Sequence, residues 1–351
     1  MRRGNFFEIG NLFLKLEKIF FVAEMILMKI GILGTGAIVQ DFLTAISELK
    51  IDYVAILSTE RSRDKVEKLA AKYNLDKIYF NYAELLQDKQ IDTIYVALPN
   101  HLHYQFAKTA LESNKNVIVE KPAVTNLAEF LELKKLVEER DKIFIEATTT
   151  HYLPAFAEIK SDLKKLGEIK IVSLNYSQYS SRYDAFKAGE ILPVFDPAKG
   201  GGAIMDINFY NINFVVGLFG KPESVFYTAN IERGIDTSGI LILDYGKFKA
   251  VCVGAKDCQA ITTSTIQGDK GYIFLNTPAN RFESYTVTDN DNNRELKNFS
   301  SDKHRMIFEF ENFIEMIENH DVAKMNKMLT ITETVAKILQ QARNQVGIGG
   351  K

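Results

Sequence analysis

Three side chains in the sequence have the types and spacing needed to move a proton at a substrate oxygen. Lys121 lies in the segment Glu120-Lys121-Pro122, and Asp206 and Tyr210 lie four residues apart, just after three consecutive glycines. A spacing of four residues places two side chains on one face of a helix. A free phenol has a pKa of about 10, and a nearby ammonium such as Lys121 would lower that of Tyr210 toward the range useful for acid–base catalysis.

A glycine-rich turn near the start predicts a dinucleotide site. It follows an apolar run at 29–33, opens a helical pattern, and consists of Gly34, Thr35, Gly36, Ala37 and Ile38. Glycines in this context let the backbone approach a pyrophosphate, which then lies against free N–H groups at the helix N-terminus. Val39 stands where the fingerprint has a third glycine or alanine, so we expect the helix to lie slightly away from the strand.

The end of the second strand indicates the phosphorylated cofactor. Ser58 and Thr59 stand where an NAD-specific site usually has an acidic residue for the ribose hydroxyls, and Arg61 follows them. Hydroxyls and a guanidinium suit a 2′-phosphate, so we expect NADP rather than NAD. Glu60 could point into the same space and oppose this preference, and Arg63 could equally be a charged helix start.

Two more motifs end buried strands on the edge where parallel sheets bind ligands. The first runs from 98 to 103 and the second is Glu120-Lys121-Pro122. We include in the cofactor site Leu98, Pro99, Asn100, His103, Glu120 and Lys121. His103 could contact the nicotinamide or cap the following helix, and we favour the structural role.

Together these motifs resemble the Gfo/Idh/MocA family, named for glucose–fructose oxidoreductase and inositol dehydrogenase. The resemblance runs from about residue 28 to the end and rests on Gly34 to Val39, Pro99-Asn100-x-x-His103, Glu120-Lys121-Pro122, Gly200-Gly201-Gly202-Ala203-Ile204-Met205-Asp206 and the segment 342–348. It implies a Rossmann domain followed by an α/β domain with an open, mostly antiparallel sheet. It also implies hydride transfer between NAD(P) and a sugar, polyol or diol carbon.

The resemblance places Lys121 near the nicotinamide and the substrate oxygen. Many family members carry His where this chain has Tyr210, and the tyrosine form resembles the glucose–fructose oxidoreductase and dihydrodiol dehydrogenase branch. We expect Tyr210 to be the general acid/base, Lys121 its electrostatic partner and the substrate anchor, and Asp206 to orient Lys121 or a substrate hydroxyl. Taken singly, Tyr210 could be a half-buried helix aromatic and Asp206 an acid in a first helical turn.

A polar, aromatic stretch before the triple glycine offers weaker substrate contacts. Planar rings and guanidinium groups suit polyhydroxyl or acidic substrates, and the stretch contains Tyr179, Arg182, Tyr183 and Lys187. The segment Asp236-Thr237-Ser238 is a second candidate substrate loop. An exposed surface loop explains either segment equally well.

The elements that must position these residues follow two patterns. Up to about residue 150, apolar strands alternate with helices, which predicts a doubly wound parallel sheet. Afterwards the strands lack intervening helices, which predicts a mostly antiparallel sheet of the runs 170–179, 224–231, 239–245, 247–254, 260–267 and 272–276. We expect helices at 154–165 and 203–218, and two closing helices at 303–319 and 327–344. The predicted division is a Rossmann domain over 29–150 and a substrate-binding and pairing domain over 151–351.

Composition excludes several classes of protein. The 351 residues are 46% apolar and 25% charged with a net charge of −2, which excludes a disordered or disulfide-stapled chain and gives no field to attract nucleic acid or an anionic membrane. Cys252 and Cys258 fit neither a zinc nor a redox motif, so we expect two half-buried strand residues in a reducing cytoplasm. The five histidines form no cluster with acidic residues, and we expect no metal.

Residues 1–28 fit neither an export signal nor a transmembrane span, because charged residues interrupt every apolar run. They could form an amphipathic helix or be a translated upstream stretch with the natural start at Met25 or Met28, and we prefer the second interpretation.

Two other functions share the resemblance. One is a cofactor-binding sensor or regulator without catalysis, and the other is an NAD-dependent glycosidase. Loss of the lysine or of the acid/base would signal a regulator, and this chain keeps Lys121, Asp206 and Tyr210. The resemblance further implies a homodimer or homotetramer that pairs through the exposed face of the second sheet.

Overall fold

A computed structural model describes residues 27–348, and the expectations for the N-terminal extension fall almost entirely outside them. The first half alternates strands and helices as its apolar pattern predicts. Its strands are β1 Met28–Leu33, β2 Ile51–Leu57, β3 Lys77–Tyr79, β4 Thr93–Val96, β5 Asn116–Glu120 and β6 Phe144–Ala147. Its helices are α1 Ala37–Ala45, α2 Arg63–Tyr73, α3 Tyr82–Gln87, α4 Asn100–Glu112 and α5 Leu127–Arg140.

The six strands form one parallel sheet in the order β3-β2-β1-β4-β5-β6. The chain therefore reverses its winding between β1 and β4, and a crevice opens there at the carboxyl ends of the strands. Every residue of β4 is buried, as expected for a strand covered by helices on both faces. The Rossmann prediction is confirmed.

The second half forms an open eight-stranded sheet. After helix α6 (Pro154–Asp162) come strand β7 (Ile169–Ser177) and helices α7 (Tyr183–Lys187), α8 (Ala203–Asp206) and α9 (Asn208–Phe219). The remaining strands are β8 Ser224–Glu232, β9 Ile235–Asp244, β10 Lys249–Ala255, β11 Thr263–Gly268, β12 Gly271–Leu275, β13 Ser284–Asp289 and β14 Arg294–Asn298. Neighbouring strands are antiparallel except β7 and β10, which run parallel. The prediction of a mostly antiparallel sheet is confirmed.

Two closing helices join the two sheets. Helix α10 (Arg305–Glu318) buries Phe310 beside Phe42 and Tyr95 of the first core, and α11 (Val322–Gln345) continues along the second core. The sequence pattern grouped α10 with the second domain, whereas its apolar face packs on the first sheet. The domain division itself stays a prediction.

The expected single helix at 203–218 is wrong. The chain bends by 60° between the segments Pro197–Asp206 and Asn208–Phe219. The second segment is held by side chains that bind a strand: Asn208 donates to the carbonyl of Cys252 at 3.1 Å, and Asn211 donates to that of Val253 at 3.0 Å. These bonds to β10 set the direction of α9 independently of α8.

Strand β14 did not stand out in the sequence because it is almost wholly exposed and mostly charged. Such composition is typical of an edge strand protected from pairing with other chains. Within residues 27–348 no single helix is long and apolar enough to cross a membrane. The bent pair that includes α9 passes a test of length and composition, but α9 is buried in the second core.

Candidate active site

The turn after β1 has the shape that a pyrophosphate requires. Gly34 has φ +107°, and a Cβ there would lie 2.8 Å from the carbonyl oxygen of Ala97, so only glycine fits without strain. A Cβ on Gly36 would meet nothing within 4 Å, which leaves open space in front of the turn. Among the described residues no side chain caps α1, so its first N–H groups are available to an anion. The residues present therefore fit a dinucleotide, as predicted.

His103 joins the two strand-end motifs rather than lining the crevice. Its ring is fully buried, with Nδ1 2.8 Å from the carbonyl oxygen of Pro122 and Nε2 2.6 Å from that of Leu98. Burial lowers the pKa of His103, and its contacts with the two carbonyls oppose that shift. The ring holds the segment after β4 against the segment after β5, so the structural role that we favoured is the one its contacts support.

The same motifs reach into the second half of the chain. Asn100 donates from Nδ2 to the carbonyl of Gly200 at 3.0 Å, which links the Pro-Asn segment to the triple glycine. Glu120 stays behind the site, where it accepts a hydrogen bond from the hydroxyl of Tyr95 at 2.6 Å. Burial raises the pKa of Glu120, and the bond from Tyr95 opposes the shift.

Lys121 and Asp206 meet across this junction. The Lys121 Nζ lies 3.0 Å from Asp206 Oδ1 and also donates to the Asp206 carbonyl at 3.2 Å. A further lysine, Lys256, donates to Asp206 Oδ2. Burial alone would raise the pKa of Asp206, but the two ammonium groups hold it well below its usual range. The carboxylate is therefore ionised at neutral pH and shared by two cations.

Tyr210 lies beside Lys121, with the Lys121 Nζ 4.7 Å from the centre of the phenol ring. Burial raises the pKa of Tyr210, and the charge of Lys121 pulls it back. The expected lowering by Lys121 is therefore present but smaller than the effect of burial, so the prediction of a net lowered pKa is wrong for this structure. The phenol is protonated at neutral pH.

Asp206 and Tyr210 line a cavity of about 330 Å³. Among the weaker candidates, Tyr179 and Arg182 line the same cavity. Tyr183 is instead buried and donates to Glu232 at 2.6 Å, and neither it nor Lys187 is among the residues that line the cavity.

The proposed substrate loop at 236–238 is wrong, because these residues begin strand β9 and are buried. Asp236 Oδ2 accepts hydrogen bonds from the Ile204 N–H and the Tyr227 hydroxyl, each at 2.7 Å. Burial raises the pKa of Asp236 to about 6. Asp236 thus anchors the start of α8, the helix that carries Asp206.

Sequence reasoning missed several residues of the site. Lys256, Tyr176 and Asn280 line the cavity with Asp206, and Arg281 and Arg305 line an adjoining space of about 570 Å³. Lys256 had one usable signal, since it directly follows the apolar strand β10 as Lys121 follows β5. Tyr176 lies within strand β7, and the other residues lie in irregular segments or at a helix start, where no periodicity marks them.

Among residues 27–348, no group of three or more metal-ligating side chains comes together. Cys252 lies in strand β10, as expected, but is fully buried rather than half-buried. Cys258 is exposed and outside any strand, so the expectation is wrong for that residue. Both cysteines are free, and the cytoplasmic location stays a prediction.

Family models match both halves of the chain. The model described as "Oxidoreductase family, NAD-binding Rossmann fold" matches residues 28–148, and the model described as "GFO/IDH/MocA C-terminal domain" matches residues 161–274. The scyllo-inositol 2-dehydrogenase (NADP(+)) IolU of Bacillus subtilis (strain 168) is 32% identical over 325 residues, which cover 92% of this chain and 98% of that protein. The trans-1,2-dihydrobenzene-1,2-diol dehydrogenase of Xenopus tropicalis is 28% identical over 335 residues, which cover 91% and 98%.

A solved structure shows the same fold at lower identity. KijD10, a 3-ketoreductase from Actinomadura kijaniata in complex with NADP and TDP-benzene, matches with a TM-score of 0.79 and 19% identity over 91% of this chain and 97% of its own. Fold and family models together define an NAD(P)-dependent oxidoreductase. The chain belongs to the Gfo/Idh/MocA family, which confirms the resemblance carried by its motifs.

The two glycines of the turn give a matched pair of variants. We expect Gly34→Ala to destabilise the fold by about 1–3 kcal/mol because it forces a side chain into a strained backbone. Gly36→Ala should change the free energy of unfolding of the apo protein by less than about 0.5 kcal/mol, as is usual for exposed positions. The Gly36→Ala variant should nevertheless be stabilised less by NADPH, because the added methyl group would occupy the space in which the cofactor is expected. Undiminished stabilisation by NADPH in Gly36→Ala would place the cofactor elsewhere.

Proposed function

We propose that this protein transfers a hydride between a nicotinamide cofactor and a hydroxyl-bearing carbon of a sugar, polyol or diol. One observation carries the proposal: Lys121 of the first half contacts Asp206 and Tyr210 of the second half, and these two residues line one cavity. The inositol and dihydrodiol dehydrogenases among the relatives support this substrate class.

The three side chains divide the work at the reacting oxygen. Bound NAD(P) accepts the hydride in oxidation and supplies it in reduction. In oxidation the substrate hydroxyl loses its proton to the ionised oxygen of Tyr210, and in reduction the neutral phenol returns a proton to the carbonyl oxygen. Lys121 stabilises the negative charge that develops on the substrate oxygen. Asp206 fixes the position of the Lys121 ammonium.

Two variants test these roles. We expect Tyr210→Phe to lower kcat by about 10²–10⁴-fold, the usual contribution of a positioned acid or base, and Lys121→Ala to abolish measurable turnover. Cofactor binding should persist in both, as measured by thermal shift with NADPH. Full activity in either variant would refute the assignment, and hydrolysis of a glycoside without net cofactor reduction would favour the glycosidase alternative.

We further propose a preference for NADP. The Glu60 carboxylate, which could repel a 2′-phosphate, is bound by Arg63 at 2.7 Å. Arg63 also stacks on Phe80 with its guanidinium carbon 3.9 Å from the ring centre. Arg61 is exposed and forms no ion pair within residues 27–348, so its guanidinium is available beside Ser58 and Thr59. The NADP named for the inositol dehydrogenase relative agrees with this preference.

Arg61→Gln should weaken NADPH binding about tenfold or more while leaving NADH binding nearly unchanged, because a charge-assisted bond to phosphate is lost. Titration of the apo protein with each cofactor, followed by thermal shift, measures both affinities. Lys68→Gln removes an exposed charge from the following helix and serves as the control. A larger stabilisation of the wild type by NADH than by NADPH would reverse the preference.

We also propose that copies of the chain pair through the outer face of the second sheet. Phe226 of β8 lies beside Ile242 of β9, and the two side chains are 57% and 37% exposed. Ile240, two residues from Ile242 along β9, extends this apolar surface with an exposure of 44%. A contiguous exposed apolar patch on a sheet is typical of a protein–protein interface.

The double variant Phe226→Glu with Ile242→Glu should therefore shift the protein to monomers in size-exclusion chromatography with light scattering. Leu131→Glu is the matched control, since Leu131 is 46% exposed on helix α5 of the first half. A wild type that is monomeric at micromolar concentration would contradict pairing through this face.

A further inference from the structure

Lys256 is a buried lysine at the cavity to which the chemistry above gives no role. The residue is 3% exposed and lines the cavity together with Asp206 and Tyr210. Within residues 27–348, its only carboxylate partner is Asp206, through Oδ2, while Lys121 holds Oδ1 at 3.0 Å. Removing an ammonium from water costs free energy, which pairing with a carboxylate offsets. A buried lysine at a cavity is therefore a candidate for a functional role.

The backbone of Lys256 is fixed from both sides. Its N–H donates to the carbonyl of Thr237 at 2.8 Å, and its own carbonyl accepts from the N–H of Ser180 at 2.9 Å. Its Nζ also lies 5.5 Å from the centre of the Phe195 ring. The ammonium is therefore held on Asp206 by the protein itself.

The charge balance around Tyr210 shows what this second lysine changes. Charged and titratable groups face Tyr210 from several elements: Glu120 and Lys121 at the end of β5, Asp206 at the end of α8, Tyr176 on β7 and Arg305 at the start of α10. A Lys121–Asp206 pair alone is neutral, so the carboxylate would cancel much of the lysine's effect on the phenol oxygen. With Lys256 present, two ammonium groups share one carboxylate and the cluster has a net positive charge.

We propose that Lys256 is a positioning residue that offsets the charge of Asp206 and so leaves the ammonium of Lys121 available to stabilise the phenolate of Tyr210. The inference deepens the proposed function and rests on it for its catalytic meaning. Asp206 thereby orients Lys121 without cancelling the effect of the Lys121 charge on the phenol oxygen of Tyr210.

The test is the pH dependence of alcohol oxidation in the holoenzyme, with a matched set of variants. Lys256→Met should move the limb that reports ionisation of Tyr210 to higher pH by about one unit, the order expected for losing one charge at partly screened distance. Lys256→Arg keeps the charge and should restore the wild-type limb. Lys115→Met is the control, because Lys115 is also buried but binds two backbone carbonyls of the first half.

A second measurement does not need turnover. The ultraviolet titration of tyrosinate in the apo protein, taken as the difference between each variant and its Tyr210→Phe counterpart, reports the ionisation of Tyr210 directly. It should show the same upward shift in Lys256→Met, and in Lys256→Gln if the methionine variant does not fold. This titration still tests Lys256 if the wild type oxidises no sugar, polyol or diol, an outcome that would refute the proposed function alone.

An unchanged titration in a folded Lys256→Met or Lys256→Gln protein would overturn the inference, as would an equal shift in Lys115→Met. The Asp206→Asn background distinguishes an effect of Lys256 through Asp206 from a direct effect of Lys256 on Tyr210. If Lys256 acts through Asp206, Lys256→Met in the Asp206→Asn background should shift the pH limb of Tyr210 less than Lys256→Met does in the wild type. An equal shift in both backgrounds would show that Lys256 acts on Tyr210 directly and would overturn the positioning role.

Discussion

The contact on which the site depends is the ion pair between Lys121 and Asp206, whose partners are 85 positions apart in the chain. Lys121 directly follows the last residue of the parallel strand β5, and Asp206 is the last residue of the short helix α8 in the second half. Within the described part of the first half Lys121 has no ion-pair partner, and a largely buried unpaired charge is strongly unfavourable. The pair therefore requires both halves to be folded and in contact before any substrate oxygen can be held.

The surrounding contacts hold that pair in place through the backbone. His103 fixes the segment that follows Lys121, and Asn100 ties the first half to Gly200. On the other side, Asp236 binds the N–H of Ile204, and Gly202, with φ +108°, leaves no room for a Cβ beside the Asp236 carboxylate. The close approach of strand β9 to the turn thus explains the last of the three glycines. Residues outside the proposed catalytic group thus set the positions of those within it.

The sequence predicted the parts of this arrangement that depend on local pattern. The alternation of strands and helices predicted the first sheet, and the position of Lys121 after a strand predicted its place at the ligand edge. The bend before Asn208 escaped prediction because it results from hydrogen bonds to β10, which is far along the chain. Lys256 escaped for the same reason, since its partner Asp206 is 50 positions away. This charge pair is set by the packing of α8 against the second sheet, and neither residue's neighbours in sequence reveal it.

The protonation state of Tyr210 connects the burial of the site to the direction of the proposed reaction. Burial raises the pKa of the phenol, so at neutral pH the group is ready to donate a proton, as reduction of a carbonyl requires. Oxidation requires the phenolate, and every positive charge near the oxygen makes that form less costly. Lys121 supplies such a charge, while Glu120 and Asp206 oppose it. In the proposed reaction, the balance between these positive and negative charges determines how far the working pH must rise before oxidation becomes as accessible as reduction.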